Sequence, residues 1–288
     1  MKIKYLVIAT LALFSTINDA KTSLNSQATP AGSALYYVTQ PQASDDEANT
    51  YIDAFELLPN YKPGLLIAMM VNEAGAKIQA GLMANAVVGY NYKIVCNFNI
   101  GNDAVVTAQD SFKAFQGNTP SICTGGYAID YEPTDTGNNF HIDYISQLIP
   151  LLRSVNASAP IYLYFNPNEM ALYAQLNPNS INSFAAFLAQ NNVTMLWPIY
   201  SLPNANNLSQ LFTTYPALQK LPYQLLFNIL NSNTVQTQIL NTLSGNGMTN
   251  YNKAFWQVIS SINCPVDDTK TCVTNLENSL SVFPAAKE

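Results

Sequence analysis

Short apolar runs alternate with longer helical patterns along most of the chain. The runs are ALYYVT (34–39), GLLIAMMV (64–71), YKIVCNFNI (92–100), GYAIDYEP (126–133), IYLYFNP (161–167), VTMLWPIY (193–200), LPYQLLFNI (221–229) and NKAFWQVIS (252–260). Each is a short, largely apolar run of strand length. Between them lie EAGAKIQAGLMANAVV, VVTAQDSFKAF, FHIDYISQLIPLLRSV, SINSFAAFLAQ, LSQLFTTYPALQK and TVQTQILNTLS. Their apolar residues recur three and four positions apart, which predicts helices with one buried face. Ser180, just before Ile181, reads as a helix N-cap.

Eight strand candidates separated by helices predict an α/β fold of the (β/α)8 TIM-barrel kind, in one domain. An open doubly wound sheet would share the local pattern, but it normally carries a Gly-rich phosphate loop after its first strand, and none follows ALYYVT. The reading divides the chain into residues 1–20, 21–33 and 34–288. The first piece has Lys2 and Lys4 before an apolar run of about ten residues, the form of a secretory signal peptide and too short to span a bilayer. The second is a Ser/Thr/Gln/Ala-rich flexible lead-in. The third is the barrel, with a closing helix around TCVTNLENSLSVF.

Composition agrees with export. Only 10% of the 288 residues are charged, and Asn, Gln, Ser, Thr and Tyr supply the polar surface. Such a surface suits an extracellular protein, or a periplasmic one if the source is bacterial, and it suits a neutral, hydroxyl-rich ligand. The formal net charge is -6 and no Lys/Arg cluster occurs, which speaks against nucleic acid and against an anionic membrane as partners. A monomer is expected. Four cysteines fit an oxidising compartment. Of three possible connectivities the strand reading favours Cys96–Cys123, on or beside neighbouring strands, with Cys264–Cys272 closing the polar loop PVDDTKT. No C-x-x-C occurs and His141 is the sole histidine, which speaks against a zinc site.

The chemistry is concentrated in GYAIDYEP. Alternate residues of a strand face the same way, so Ala128, Asp130 and Glu132 share one face and Tyr127, Ile129 and Tyr131 the other. The aromatic face suits a helix. The other then points into the barrel and carries two carboxylates about 6–7 Å apart along the strand, near the end where barrels build active sites. Burying both as anions without a cation is costly, so one is expected to keep a proton near neutrality. A carboxylic acid held protonated is what a glycosidic leaving group requires.

Residues 125–132, GGYAIDYE, resemble the signature strand of glycoside hydrolase family 18, the chitinases and related endo-N-acetylglucosaminidases, whose pattern runs D-G-x-D-x-D-x-E. Gly126, Asp130 and Glu132 fall in place, whereas Gly125 and Ala128 stand where the pattern has its first and second Asp. Fainter likenesses extend over nearly all of the chain after residue 33. Tyr36 stands where the family puts a sugar-site aromatic on its first strand. Asn166 ends a strand that in the family ends A-P-Q. Tyr200 stands at a catalytic tyrosine and Trp256 at the tryptophan that floors the sugar site. Trp197, the other tryptophan, is a further candidate sugar contact. YKIVCNFNIG lacks the family's S-x-G-G.

The resemblance implies a hydrolase of N-acetylglucosamine-containing oligo- or polysaccharides that works by substrate-assisted retention. Glu132 would protonate the glycosidic oxygen while the substrate's own acetamido oxygen attacks the anomeric carbon. Asp130 would orient that acetamido group, Tyr200 would hydrogen-bond it, and Trp256 would stack beneath the sugar. The chemistry that the resemblance implies calls for no metal or organic cofactor. Two other functions fit parts of the pattern. A non-catalytic chitinase-like lectin or inhibitor fits Ala128. A family 25-type lysozyme fits a D-x-E strand but needs an acid on the first strand, where ALYYVT has none.

Overall fold

The computed structural model describes residues 35–38, 45–56, 64–68, 76–100, 107–117, 120–132, 142–228, 231–249, 252–256, 278 and 280–283. The leader and lead-in (1–33), His141, Cys264, Cys272 and most of the expected closing helix lie outside them.

Eight parallel strands close into a barrel in sequence order: β1 (Leu35–Val38), β2 (Leu65–Ala68), β3 (Lys93–Ile100), β4 (Gly126–Tyr131), β5 (Ile161–Phe165), β6 (Val193–Pro198), β7 (Tyr223–Asn228) and β8 (Asn252–Trp256). β8 returns to pair with β1, Tyr36 opposite Phe255 and Tyr37 opposite Trp256. The helices are α1 (Asp45–Glu56), α2 (Ala76–Ala86), α3 (Ala108–Gly117), α4 (Ile142–Val155), α5 (Pro167–Leu176), α6 (Ile181–Gln190), α7 (Leu202–Thr214), α8 (Pro216–Gln219) and α9 (Asn233–Gly245). No helix among the described residues is long and apolar enough to cross a membrane.

All eight strand candidates are strands, NKAFWQVIS through its first five residues. Two helices, α1 and α5, fall where no helical pattern was read. LSQLFTTYPALQK is two helices rather than one, because Pro216 has no N–H to continue α7 and instead opens α8. Ser180 does stand at the N-cap of α6, but its hydroxyl makes no capping bond.

The core has two layers, as strand alternation requires. Tyr127, Ile129 and Tyr131 of β4 lie in the outer layer between sheet and helices, with Phe165, Trp197 and Phe227. Val95, Ala128, Tyr162, Tyr164, Leu196 and Leu226 pack together inside the barrel, joined by Leu65 and Tyr200. This inner cluster packs the described part of the lumen, below the rim where barrels of this kind carry their chemistry.

The entry to β4 is tightly fixed. The Cys96–Cys123 disulfide joins β3 to the segment before β4, with the Cα atoms 5.3 Å apart. Thr124 Oγ1 accepts from the Ile94 amide at 3.1 Å, and the Gly125 amide donates to the Ile94 carbonyl at 2.7 Å. Gly126 adopts φ of +103°, and a Cβ there would stand 2.2 Å from the Pro160 carbonyl oxygen. Only glycine combines that φ with so close an approach.

Candidate active site at the carboxyl end of the barrel

β4 delivers Asp130 and Glu132 to the rim. Asp130, on the inward face, is 6% exposed. Glu132 follows the last strand residue and is half-buried. In the sheet register Asp130 stands beside Asn99 of β3 and Tyr164 of β5. Beneath it, Ala128 is 1% exposed and belongs to the apolar lumen cluster. The position that family 18 fills with a carboxylate is therefore part of a greasy floor here. The buried polar neighbour in register with Ala128 is Asn97.

Tyr164 links the parts. Its side chain is 3% exposed, and its phenol lies beside the Glu132 carboxylate and Tyr200. Burial pushes this phenol far above its ordinary range, and the charges of Glu132 and Asp130 push it further, so it stays a neutral donor. Tyr200 lies just past the end of β6 and packs on the lumen cluster. Asp130, Glu132 and Tyr200 thus meet around Tyr164, a residue that the sequence pattern did not single out.

A third carboxyl belongs to the same cluster. α5 begins directly after β5, with Asn166 as N-cap, Pro167 at the first helical position and Glu169 two residues further on. Helical side chains lean toward the helix N-terminus, which for α5 is the rim of the barrel. Glu169 is pushed up to about 8, first by burial and then by the charges of Glu132 and Asp130. A bond from the Asn166 backbone N–H opposes that shift, and Oε2 is buried without a hydrogen-bond partner. The Glu169 carboxyl therefore favours its protonated form near neutrality.

The other candidates fall elsewhere. Trp197 is not a sugar contact: it is fully buried in the outer layer, its ring edge-on to Phe212 with centroids 6.1 Å apart. Strand parity forces this, because Trp197 and Tyr200 are an odd number of residues apart. Asn166 serves the frame. Its Oδ1 accepts from the Asn168 amide at 2.9 Å and from Asn204 Nδ2 at 3.2 Å, tying the start of α5 to that of α7. Tyr36 and Trp256 are placed by their backbone on adjacent strands β1 and β8, and their side chains lie outside the described groups.

The described residues contain no group of three or more His, Cys, Asp and Glu arranged to hold a metal ion. At the opposite end of the barrel, Arg153 donates to the carbonyls of Ala157, Ala159, Asn191 and Asn192. That cation is engaged far from the carboxyl cluster.

No family model matches the sequence, and no curated protein is significantly similar to it. Solved structures do match in shape. One described as an α-L-fucosidase of Bacteroides thetaiotaomicron superposes with a TM-score of 0.54 at 9% identity, over 90% of this chain and 97% of its own. Malate synthase of Haloferax volcanii gives 0.51 at 10% identity, over 89% of this chain and 71% of its own. The fold is that of a TIM barrel. The catalytic domain of a family 18 chitinase from the fern Peteris ryukyuensis gives 0.44 at 10% identity, over 84% of this chain and 99% of its own. That overlap is too slight to bear on family membership. Structural neighbours of this barrel are enzymes of several reaction types, glycoside hydrolases among them, and at these identities they share its fold alone.

Proposed function

We propose that the rim cluster is the active site of an exported glycoside hydrolase acting on glycans that contain N-acetylglucosamine. The observation that carries the reading is the meeting of Asp130, Glu132 and Tyr200 around Tyr164 at the carboxyl end of the strands. It combines a half-buried acid open to a substrate, a buried acid behind it and phenol donors beside both. Those are the components of acid-assisted glycoside cleavage.

In this mechanism Glu132 gives a proton to the glycosidic oxygen as the C–O bond breaks. The substrate's acetamido oxygen attacks the anomeric carbon from the other side. Asp130 orients the acetamido N–H and offsets the positive charge that develops on the ring. Tyr200 donates to the acetamido oxygen. Water then opens the cyclic intermediate and returns a proton to Glu132, which retains the anomeric configuration. Neutral phenols beside the carboxylates suit a neutral, hydroxyl-rich ligand better than an anionic one.

The apolar floor at Ala128 favours a second reading, a non-catalytic barrel that binds the same glycans. Turnover of chito-oligosaccharides by the wild type and by Glu132→Gln separates the two. Cleavage that the substitution abolishes supports the hydrolase. Binding without cleavage supports the lectin-like barrel.

A further inference from the structure

α9 buries one face, made of Gln236, Ile239 and Leu243. Their spacing of three and four residues is the stripe that a packed helix fills with apolar side chains. Gln236 breaks that stripe. It is fully buried, and its Oε1 has no hydrogen-bond partner, a cost that an apolar side chain of the same size would avoid. In return the glutamine makes one bond: its Nε2 donates to the Asn228 carbonyl at 2.6 Å. A polar group kept at a loss in an apolar stripe directs attention to the residue it holds.

Asn228 closes β7. Leu225 and Phe227 lie in the outer layer and Leu226 in the lumen cluster. Alternation therefore turns the half-buried Asn228 toward the barrel axis, at the rim. Its carbonyl accepts a second bond, from the Asn231 amide at 3.2 Å. Asn231 also reaches the neighbouring strand end, where its Nδ2 donates to the Tyr200 carbonyl at 2.9 Å. Below these bonds Pro198 is level with Leu226, and the Ile199 amide donates to the Leu226 carbonyl at 2.8 Å. Tyr200 is thus level with Asn228, directly above the cluster in which Leu226 and Tyr200 pack together. On its other side Asn228 is the register partner of Trp256. Two side-chain amides, from Asn231 and Gln236, so fix the ends of β6 and β7 where the ladder between the strands stops.

Resting on the reading of the rim as a glycan site, we infer that Asn228 is a further ligand-contacting residue, set beside Tyr200 by the positioning residues Asn231 and Gln236. A carboxamide carries donors and an acceptor in one plane. That arrangement complements neighbouring hydroxyls of a sugar ring and adds no charge. Asn228 takes ring hydroxyls of the sugar whose acetamido group Tyr200 holds. Those hydroxyls do not react, so the contact is made equally in the ground and transition states and shows in KM rather than in kcat.

Calorimetric binding of chitotetraose tests this on the full chain carrying Glu132→Gln, which keeps the ligand whole. Adding Asn228→Ala is expected to raise Kd about tenfold. With Glu132 in place, Asn228→Ala is expected to raise KM by a similar factor and to leave kcat little changed. An unaltered Kd, or a fall in kcat at constant KM, overturns the inference.

Gln236→Leu separates positioning from structural support. It removes the unmatched Oε1 and leaves the Asn228 carbonyl its bond from Asn231, so the thermal midpoint is expected to hold or to rise. Kd for chitotetraose is nevertheless expected to rise by about threefold or more. A midpoint that falls together with affinity, or an affinity that does not change, overturns the positioning role. If the Glu132→Gln chain binds no chitotetraose at all, the glycan reading itself fails; binding that Asn228→Ala leaves intact sinks the inference alone.

Discussion

Replacing Gly126 with alanine tests the geometry that places the acid pair. Gly126 opens β4 at φ of +103°, and an added Cβ would lie 2.2 Å from the Pro160 carbonyl oxygen and 3.0 Å from its carbon. Holding an L-residue in that region costs about 1–3 kcal/mol. Relieving the clash means moving backbone, since the nearest atoms belong to the chain before β5. That movement breaks the bond from the Tyr127 amide to the same Pro160 oxygen, now 2.9 Å, leaving a buried donor unmatched at about 1–3 kcal/mol. The sum is a loss of about 3 kcal/mol or more. It falls at the start of the β4–β5 pairing whose register sets Asp130 beside Tyr164 further along, so any residual activity should fall with it. Urea unfolding of wild type and Gly126→Ala measures the loss. Gly245→Ala is the control, because an added Cβ at that helical position meets nothing within 4 Å. A loss below about 1 kcal/mol for Gly126→Ala, or one equal to the control, would refute the argument.

Other consequences are open to measurement. Removing the Cys96–Cys123 bridge as the double alanine variant should cost about 3.5 kcal/mol by loop-closure entropy, given a separation of 27 residues; unchanged urea midpoints would show that the bridge constrains nothing. Trp197→Ala should lose about 3–5 kcal/mol of stability as a buried aromatic, yet leave KM for an oligosaccharide unaltered; a large rise in KM would return Trp197 to the sugar site. Glu169 has its folded-state pKa raised from 4.5 to about 8. Between those values the unfolded chain has released a proton that the folded chain keeps, so this group makes stability fall as pH rises from about 4.5 to about 8. Glu169→Gln should flatten that part of a stability–pH curve, and a stability difference independent of pH would contradict the protonated assignment.

The barrel was legible because its strands obey two simple patterns. Largely apolar runs of six to nine residues recurred with helical stretches between them, and GYAIDYE separated its faces by parity alone. Ala128 and Asp130 face inward while Tyr127, Ile129 and Tyr131 face the helices. Parity was equally available for VTMLWPIY, where it excludes Trp197 from the face that Tyr200 occupies. The resemblance to a sugar-binding family drew attention to the indole and away from the strand period.

Glu169 was harder to see. Asn166-Pro167-Asn168 read as the end of a strand, by likeness to the A-P-Q that ends the corresponding strand in the family. The same residues form a helix start, with asparagine at the N-cap, proline at the first position and glutamate two residues on. That spacing could have announced α5 and placed an acid at the rim. Tyr164 was invisible for another reason. A tyrosine in an aromatic-rich strand carries no signal of chemistry until its register partner, Asp130, is known.

The account stands on Glu132 as the acid that cleaves a glycan. Rates of chito-oligosaccharide hydrolysis by wild type and Glu132→Gln, with product anomers followed as they form, test it most directly. Retained configuration in the wild type and a rate loss of about a hundredfold or more in the variant are the predicted result. Equal rates in the two proteins, or no hydrolysis by the wild type, would contradict it.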